Sequence, residues 1–488
     1  MNGDAPKPDP RVKKDRSLKQ RLRPKFAAAL LLLALPALAQ DRYPVDWKKL
    51  EPEILDRFTT LLRIDTSNPP GNETRAAKVI QSMLEREGIA VKLFASDPNR
   101  ANLVARIKGS GRKRPILLMG HTDVVGVQRE RWSVDPFAAV RKGDTIYARG
   151  ANDDKDHVVA GIMILLLLQR LHVKLDRDVI FLAESGEEGT TAVGIDYMVR
   201  EHWPEIDAEF AMAEGGGIVE SGGKVQDVIV ATTEKVPRRM RLVAHGPAGH
   251  GSRPIPGNAV VHLAAAVERV GNWQTPIRLN ETTRTYFQRL ATVSPADAAA
   301  RYRDILVPSR AAAVDRYFYE HEPGHYSILR TSVAPTMLQA GFRQNVIPSQ
   351  AEATLDVRAL PDEDLSKFTA ELKRVVADPS VEVQPPAAND QRPAAPPSRL
   401  DTELFRALES VGRRMFNAPT LPGMMTGATD NAQLRAKGVQ AYGVGEVVDA
   451  AQGPLGGAHS DDEHISVRAL STLVQYMWNA VLETAAAH

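Results

Sequence analysis

Cysteine is absent from the 488 residues of the sequence. The chain therefore has no disulfides and no thiolate ligands, so any transition-metal site must be built from imidazole and carboxylate groups. An excess of one charge is also lacking, because 62 basic residues nearly cancel 60 acidic ones and the formal net charge is +2. This balance gives no indication of binding to nucleic acid or to a membrane surface. The length predicts more than one domain.

Apolar runs long enough to span a membrane are lacking as well. The run FAAALLLLAL at 26–35 follows several basic residues and is much shorter than the ~20 residues of a membrane span. The small residues Ala37 and Ala39 follow it, which predicts a signal peptide over residues 1–39 and a mature chain that begins at Gln40. We therefore expect an exported protein, periplasmic or secreted, with no stable membrane span after signal cleavage. A second run, GIMILLLL at 161–168, predicts a buried helix.

The remaining sequence alternates helical and strand-like segments, as is typical of an open α/β sheet. Periodic stretches at about 47–63 and 73–87 predict helices. Short apolar runs predict strands that are covered on both faces: PILLMG (115–120), VIFLA (179–183) and EFAMAE (209–214). Candidate ligands follow these runs, namely His121 and Asp123, then Glu187 and Glu188, then Glu214. Because ligands of open α/β sheets collect at the carboxyl ends of the strands, these residues are predicted to converge.

Two further segments carry candidate ligands in turns. YARGANDDKDH at 147–157 places Asp153 just before the predicted buried helix, and GGAHSDDEH at 456–464 places His459 before another helical segment. Each has a structural alternative. Acids near a helix start also satisfy free N–H groups and the helix dipole, and a single loop histidine is usually a surface residue. Five segments with oxygen and nitrogen ligands after turns nevertheless favour a metal site.

The stretch IFLAESGEEGT at 180–190 ends an apolar run in three acids, Glu184, Glu187 and Glu188. Two adjacent carboxylates repel each other, so they are stable together only in water or beside a positive charge. The stretch therefore predicts either a solvated loop or a metal site with a catalytic base next to it. Glu184 is interpreted as a structural or supporting acid.

Together, these motifs resemble the ordered motifs of one hydrolase family, that of acetylornithine deacetylase, succinyl-diaminopimelate desuccinylase and glutamate carboxypeptidase. The resemblance covers about residues 50–480. It is carried by HTD (121–123), RGANDDKD (149–156), GEEG (186–189), AEGGG (213–217) and GGAHSDDE (456–463). Single motifs such as HxD are weak, but their order and their place after strands make the set specific. The resemblance implies two neighbouring zinc ions per chain, with Co²⁺ or Mn²⁺ as alternative metals.

The resemblance also implies a role for each site residue. One zinc is assigned to His121 and Glu214, and the other to Glu188 and His459, with Asp153 bridging both. Glu187 is then the general base that takes a proton from the attacking water. Asp123 would fix the tautomer of the ligand imidazole.

A second domain is predicted to interrupt the first. From about 237 to 386 the pattern changes to strand, helix, a long insert at about 281–330, two strands of which the first is MLQAGFRQ (337–344), helix and strand, which indicates a ferredoxin-like α+β domain. The resemblance implies that this domain is a lid that commonly dimerises through its sheet edge, so a homodimer is possible. The expected fold is thus a zinc-peptidase-like α/β catalytic domain, formed by residues 40–236 and 387–488 around a mixed, mainly parallel sheet.

Substrate contacts are assigned by the same resemblance. His250 of the lid would reach an active site, often that of the partner subunit. Asn345 and Arg358 would hold the substrate's carboxylate or reacting carbonyl, although Arg358 without the resemblance reads as a surface strand arginine. Gly427 and Thr429, in the motif TGATD, would help to bind the substrate carboxylate through backbone N–H groups.

The predicted function is that of an exported dizinc hydrolase. It would cleave an amide bond next to a free-carboxylate amino acid, as a carboxypeptidase or dipeptidase does. The alternatives are an aminoacylase that acts on N-acyl amino acids and a non-catalytic, metal-binding interaction protein. Two departures from the family pattern bear on the substrate: Asp156 stands where many members have glycine, and the lid carries the insert at about 281–330.

Overall fold

The computed structural model describes residues 42–387, 392–449 and 457–487 of the chain. The predicted signal peptide and Gln40 lie outside these residues. Within the described ranges, no helix combines the length and the hydropathy that a membrane span requires.

The secondary structure alternates along the chain. The strands are β1 (Ser67–Asn68), β2 (Val91–Phe94), β3 (Asn102–Ile107), β4 (Ile116–His121), β5 (Val124–Val125), β6 (Val140–Lys142), β7 (Thr145–Tyr147), β8 (Val179–Glu184), β9 (Phe210–Ala213), β10 (Gly217–Ser221), β11 (Lys224–Glu234), β12 (Val236–His245), β13 (Gly249–His250), β14 (Ser332–Ala340), β15 (Val346–Ile347), β16 (Gln350–Ala359), β17 (Val381–Gln384), β18 (Thr420–Met425), β19 (Gln440–Gly443), β20 (Val447–Asp449) and β21 (His464–Ser466). The α-helices are α1 (Trp47–Leu62), α2 (Glu73–Glu85), α3 (Lys155–Arg170), α4 (Ile195–Glu201), α5 (Trp203–Ile206), α6 (Ala259–Gly271), α7 (Glu281–Val293), α8 (Ala296–Asp304), α9 (Pro308–His321), α10 (Pro323–Ile328), α11 (Leu365–Val376), α12 (Glu403–Phe416), α13 (Asn431–Ala436) and α14 (Val467–Ala485).

The largest sheet is mixed and has the strand order β2-β3-β8-β4-β9-β19-β11-β10-β20, with β18 beside β11. Its centre is parallel, because β4 pairs in parallel with both β8 and β9, and β9 with β19. The three predicted apolar strands are these central ones, and every residue in them is buried. Their parallel arrangement brings the ends of β4, β8 and β9 to the same edge of the sheet.

Helix α3 covers this parallel centre. The predicted buried run GIMILLLL forms its middle, and all eight residues from Gly161 to Leu168 are buried. Gly161 allows a close approach to the sheet, because a Cβ at this position would lie 2.3 Å from a ring carbon of Phe181 on β8. The tight packing fixes the start of α3, and with it Asp153, at the edge of the sheet where β4 and β8 end.

A second sheet has the order β14-β16-β12-β17 and is antiparallel throughout. Together with α6 and α11 this is the ferredoxin-like arrangement that the strand and helix pattern predicts, and it has a hydrophobic core of its own. One strand differs from expectation: the apolar pattern places a strand at 337–344, whereas β14 runs from Ser332 to Ala340. Gly341 follows with φ +68°, a turn conformation that ends the strand.

The insert at about 281–330 is helical, as its pattern predicts. Helices α7 to α10 pack around an aromatic core in which Phe287 and Phe318 stack with ring centroids 5.7 Å apart. The same core includes Leu360, just after β16, and Met424 on β18. The insert therefore packs against both the segment that follows the second sheet and the main sheet.

Candidate functional site

The ends of the central strands hold the predicted ligands. His121 is the last residue of β4, the loop with Glu187 and Glu188 follows β8, and Glu214 directly follows β9. Asp153 lies just before α3. The strand-end convergence predicted from the apolar runs is thus present in the structure.

The ligand atoms form two groups that share Asp153. In the first, His121, Asp153 and Glu214 each place a ligand atom within 4.8 Å of the others, and in the second Asp153, Glu188 and His459 do the same. His121 Nε2 lies 3.0 Å from Asp153 Oδ1 and 4.0 Å from Glu214 Oε2. His459 Nε2 lies 2.9 Å from Glu188 Oε1 and 3.1 Å from Asp153 Oδ2.

The donor set fits a pair of divalent cations. Each group offers one imidazole nitrogen and two carboxylates, and the two oxygens of Asp153 face different groups. Imidazole and carboxylate ligands suit zinc, cobalt and manganese, and a chain without cysteine has no softer alternative. Three carboxylates in two adjoining groups also supply the negative charge that two dications need.

The imidazoles of the cluster have raised pKa values because carboxylates surround them. Hydrogen bonds to Asp153 and Glu188 raise the pKa of His459 to about 10. Burial works to lower the pKa of His121, but the nearby carboxylates of Asp123 and Asp153 outweigh it, and this pKa lies well above its usual value. Since metal ligands must be deprotonated, these groups bind a cation in competition with protons.

Asp123 organises the acidic loop. Its carboxylate accepts hydrogen bonds from the backbone N–H groups of Gly186 (2.9 Å), Glu187 (3.2 Å) and Glu188 (3.2 Å). The nearest acceptor for His121 Nδ1 is the carbonyl oxygen of Asp123 at 3.0 Å, and a carboxylate oxygen lies farther away at 3.6 Å. Asp123 thus contacts the ligand imidazole, as its predicted role requires, while its carboxylate mainly fixes the loop that carries both acids.

Glu187 belongs to neither ligand group. Its carboxylate accepts a hydrogen bond of 2.7 Å from Arg392, and it lines a cavity of about 770 Å³ between the acidic loop and the second sheet. Burial raises the pKa of Glu187, and the Arg392 guanidinium opposes this rise. Adjacent acids therefore have different surroundings: Glu188 faces His459, and Glu187 faces the cavity.

The predicted substrate contacts of the ferredoxin-like domain fall into two places. Arg358 lines the same cavity as Glu187 and forms an ion pair with Asp356, with 2.8 Å between Nε and Oδ1. His250 and Asn345 are exposed and lie together, where Gly251 N–H donates to the carbonyl oxygen of Asn345 at 2.8 Å. Neither of these two residues is among the described residues that line the cavity.

The two candidates of the motif TGATD, Gly427 and Thr429, also lie in different environments. Thr429 is buried, and both its backbone N–H and its hydroxyl donate to Glu234, at 3.0 and 2.8 Å. Those donors therefore have a structural partner. Gly427 is partly exposed, and a Cβ at its position would meet no atom within 4 Å. The binding roles of both residues stay predictions.

Other acids near the site are buried. Glu184 is buried, and its pKa is raised well above the usual value by burial and by the charge of Asp430. Asp156, where the family pattern has glycine, is buried beside His157, whose Nδ1 lies 2.6 Å from Asp154. Asp156 itself lies 3.4 Å from the same nitrogen.

Sequence reasoning misses Arg392 and Asp430. Arg392 lies in the connector rich in proline and alanine, where no local pattern indicates a functional side chain. Asp430 is the last residue of TGATD, so the motif points to its neighbourhood but not to its bond with Arg392 at 3.1 Å. Arg392 also contacts Glu187, a residue 205 positions away, and no sequence pattern near either residue predicts this contact.

Known proteins resemble this chain in sequence and in fold. The sequence profile described as Peptidase family M20/M25/M40 matches residues 117–483. The human N-fatty-acyl-amino acid synthase/hydrolase PM20D1 is 32% identical over 289 residues, an alignment that spans 58% of this chain and 57% of the length of that relative. Among solved structures, the M20 family metallo-carboxypeptidase Sso-CP2 from Sulfolobus solfataricus aligns with a TM-score of 0.66 at 17% identity, over 88% of this chain and 99% of the other.

A second solved structure is the protein YXEP of Bacillus subtilis, described as a dinuclear metal-binding peptidase from the M20 family. It aligns with a TM-score of 0.57 at 17% identity, over 90% of this chain and 98% of the other. At such identities the two structures establish a shared fold alone. The fold is the mixed α/β arrangement predicted from the sequence.

Proposed function

Because the chain belongs to peptidase family M20/M25/M40, we propose that it is a two-metal hydrolase that cleaves the amide bond next to a free-carboxylate amino acid. Family membership makes it a hydrolase of the peptidase and aminoacylase type. The proposal adds the two cations, zinc in the first place, the carboxypeptidase or dipeptidase specificity and the role of each side chain.

One observation carries this proposal: two ligand groups share Asp153, and a carboxylate that belongs to neither group lies beside them. Shared carboxylates are typical of two-metal sites, in which the ions lie ~3.5–4 Å apart. The charge of Glu187 acts on those of His121, Glu188 and Glu214, so its carboxylate lies close to the cluster, and it also faces the cavity, as a general base must. The non-catalytic alternative has no such support, because it gives no reason to keep Glu187 beside a complete ligand set.

The side chains divide the reaction between them. His121, Glu214, Asp153, Glu188 and His459 would hold the cations, which when bound lower the pKa of a water and polarise the amide carbonyl. Glu187 takes a proton from the attacking water and passes it to the nitrogen of the leaving amine as the C–N bond breaks. Asp123 keeps the loop with Glu187 in place through three backbone N–H groups.

The cavity supports recognition of a carboxylate. Arg358 lines it together with Glu187, and a guanidinium binds carboxylates with paired hydrogen bonds. A substrate carboxylate would exchange with Asp356, the present partner of Arg358. This geometry favours a peptide with a free C-terminus or an N-acyl amino acid.

An aminoacylase is the second candidate function. It is favoured by the human relative, whose name describes hydrolysis of N-fatty-acyl amino acids. Both candidates leave a carboxylate on the amine product, so the position of Arg358 agrees with either. They differ in what lies on the other side of the scissile bond, an aminoacyl group or a simple acyl group.

A release assay distinguishes the candidates. The metal-reconstituted protein is incubated with a panel of dipeptides and matched N-acetyl and N-long-chain-acyl amino acids, and the freed amino acid is measured. We expect release from dipeptides to exceed release from acyl analogues that have the same C-terminal residue. The reverse order would establish the aminoacylase, and no release from any member by the fully loaded protein would contradict the proposal.

We also propose that the chain forms a homodimer through its second sheet. Strand β14 is an edge of this sheet in the described structure, and Leu338 and, just beyond the strand, Phe342 are 63% and 83% exposed. His250 is exposed and does not line the cavity of its own chain. Light scattering should give a dimer mass, and Phe342→Glu should shift the population to monomers if β14 is the contact.

Export is the remaining part of the proposal. It rests on the basic leader, the apolar run at 26–35 and the small residues before Gln40, all of which lie outside the described structure. N-terminal sequencing of the active protein from its source cell should find a start near Gln40. An intact leader on the active protein would contradict export.

A further inference from the structure

Arg392 makes direct contact with the proposed base. Its Nη2 donates to Glu187 Oε1 at 2.7 Å and to the carbonyl oxygen of Glu187 at 3.2 Å. Its Nη1 donates to Asp430 Oδ1 at 3.1 Å. One planar guanidinium thus holds both the side chain and the backbone of Glu187, and a second acid anchors it.

The anchor is rigid because Asp430 is buried. Asp430 is 1% exposed and follows Thr429, whose two hydrogen bonds to Glu234 fix the turn. Arg392 is also held through its backbone, because its carbonyl oxygen accepts a hydrogen bond of 2.9 Å from Arg238 Nη1 on β12. Arg392 is therefore placed by two contacts outside the acidic loop, one at its side chain and one at its backbone, and acts on Glu187 from a fixed position.

Glu187 needs such a partner. Glu188 is its neighbour in the chain, and the charges of Glu187 and Glu214 act on one another within the same cluster. Repulsion among these carboxylates favours orientations of Glu187 that turn away from the ligands and toward the open cavity. The hydrogen bond from Arg392 Nη2 selects one of these orientations and fixes the carboxylate in it.

We propose that Arg392 is a positioning residue for the hydrolysis: it holds the carboxylate of Glu187 beside the ligand cluster by bonding it from the Asp430 anchor. This inference rests on the proposed function, since it assigns Arg392 an effect through the base. The contact of Arg392 with Arg238 ties the orientation of Glu187 to β12 of the second sheet.

Arg392 could instead bind the substrate carboxylate, because it lines the cavity together with Arg358. The contacts favour positioning. Both of its terminal nitrogens already donate to acids, and its side chain is 19% exposed, whereas that of Arg358 is 34% exposed. The two roles predict different kinetics: loss of a positioning residue lowers kcat, while loss of a carboxylate receptor raises KM.

The test is a double-mutant cycle between Arg392→Gln and Glu187→Gln. We expect Arg392→Gln to lower kcat by about 10- to 100-fold, with KM changed less than about threefold and metal content as in the wild type. Because Arg392 acts through Glu187, the double variant should be no slower than Glu187→Gln alone. Arg392→Lys keeps the charge but loses the fork, and it should recover part of kcat.

Arg399→Gln is the matched control. Arg399 lies on the same segment, is exposed and pairs with Asp401 outside the cavity, so kcat should stay at the wild-type value. If Arg392→Gln does not fold, the double-mutant cycle is measured with Arg392→Lys and Glu187→Gln instead. The positioning role would be overturned if the fold-losses in kcat of the two single variants multiplied in the double variant. It would also be overturned if Arg392→Gln raised KM and left kcat unchanged. Full activity of Glu187→Gln would instead contradict the proposed function itself.

Discussion

Nε2 of His459 lies 2.9 Å from Oε1 of Glu188, although 271 positions separate the two residues in the chain. The loop of His459 reaches the site because the strand that follows it, β21, pairs with β7, where His464 lies opposite Tyr147. Buried Glu463 bonds both Arg149 and the backbone N–H of Asn152, next to Asp153. A buried ion pair and a short strand pairing thus complete the second ligand group.

The first prediction concerns metal content. The wild-type protein should bind two divalent ions per chain, and His459→Ala should lose one of them, because this residue belongs to a single ligand group. Asp153→Ala should lower occupancy of both ions. Metal analysis after full reconstitution and dialysis measures this directly. His464→Ala is the control, since its ring belongs to neither group, and a wild-type protein that never exceeds one ion per chain would contradict the two-metal site.

The second prediction concerns substrate recognition. Arg358→Ala should raise KM for substrates with a free carboxylate by about 10- to 100-fold, as expected for a lost hydrogen-bonded ion pair worth ~1.5–3 kcal/mol. Amidated analogues should be affected much less, because they lack the charge that the guanidinium binds. Arg374→Ala, an exposed change on α11, serves as the control. Equal losses for acid and amide substrates would exclude a carboxylate-binding role for Arg358.

The third prediction uses Lys235, the residue between β11 and β12. Its side chain is fully buried and donates to Ser327 O at 2.9 Å and Ser332 Oγ at 2.7 Å. Burial, aided by the charges of Arg358 and Arg330, lowers the pKa of Lys235 to about 7. Between pH 7 and its unfolded value of about 10.5, the unfolded chain therefore binds a proton that the folded chain lacks.

This linkage makes the Lys235 contribution to stability rise with pH across that window. Below about pH 7 both states are protonated and the contribution is constant. Lys235→Met removes the titrating group. The free energy of unfolding of the variant minus that of the wild type should therefore increase as pH falls from 10 to 7, by up to ~1.4 kcal/mol per pH unit. Denaturant unfolding at several pH values measures this difference. Lys373→Met, at an exposed position of α11, should leave the pH dependence unchanged.

The main sheet and the ligand cluster are predictable from the sequence because their signals are local. Continuous apolar runs identify β4, β8 and β9, and candidate ligands follow each run within a few residues. Parallel pairing then brings the strand ends together without further information. The ferredoxin-like sheet is predictable for the same reason, since each of its strands and helices has a local sequence pattern and these follow one another in the expected order.

Contacts that depend on the path of long connectors are not predictable in this way. The bond between Arg392 and Glu187 joins the connector rich in proline and alanine to the loop after β8, and neither residue's neighbours indicate it. Thr429 lies in a recognisable motif, yet its hydroxyl binds Glu234, which precedes the second sheet. The position of His250 relative to an active site depends on the orientation of a sheet or of a partner subunit, which local patterns do not encode.

The central claim is that adjacent acids, Glu187 and Glu188, serve as base and ligand. It is tested most directly by measuring metal content and hydrolysis for Glu187→Gln and Glu188→Gln side by side. Glu187→Gln should keep both metals and an unchanged melting temperature while hydrolysis falls by at least ~10²-fold, because only the proton acceptor is lost. Glu188→Gln should lose metal and activity together, since a neutral amide is a poor partner for a dication. Equal metal loss in both variants, or an active Glu187→Gln protein, would contradict this account.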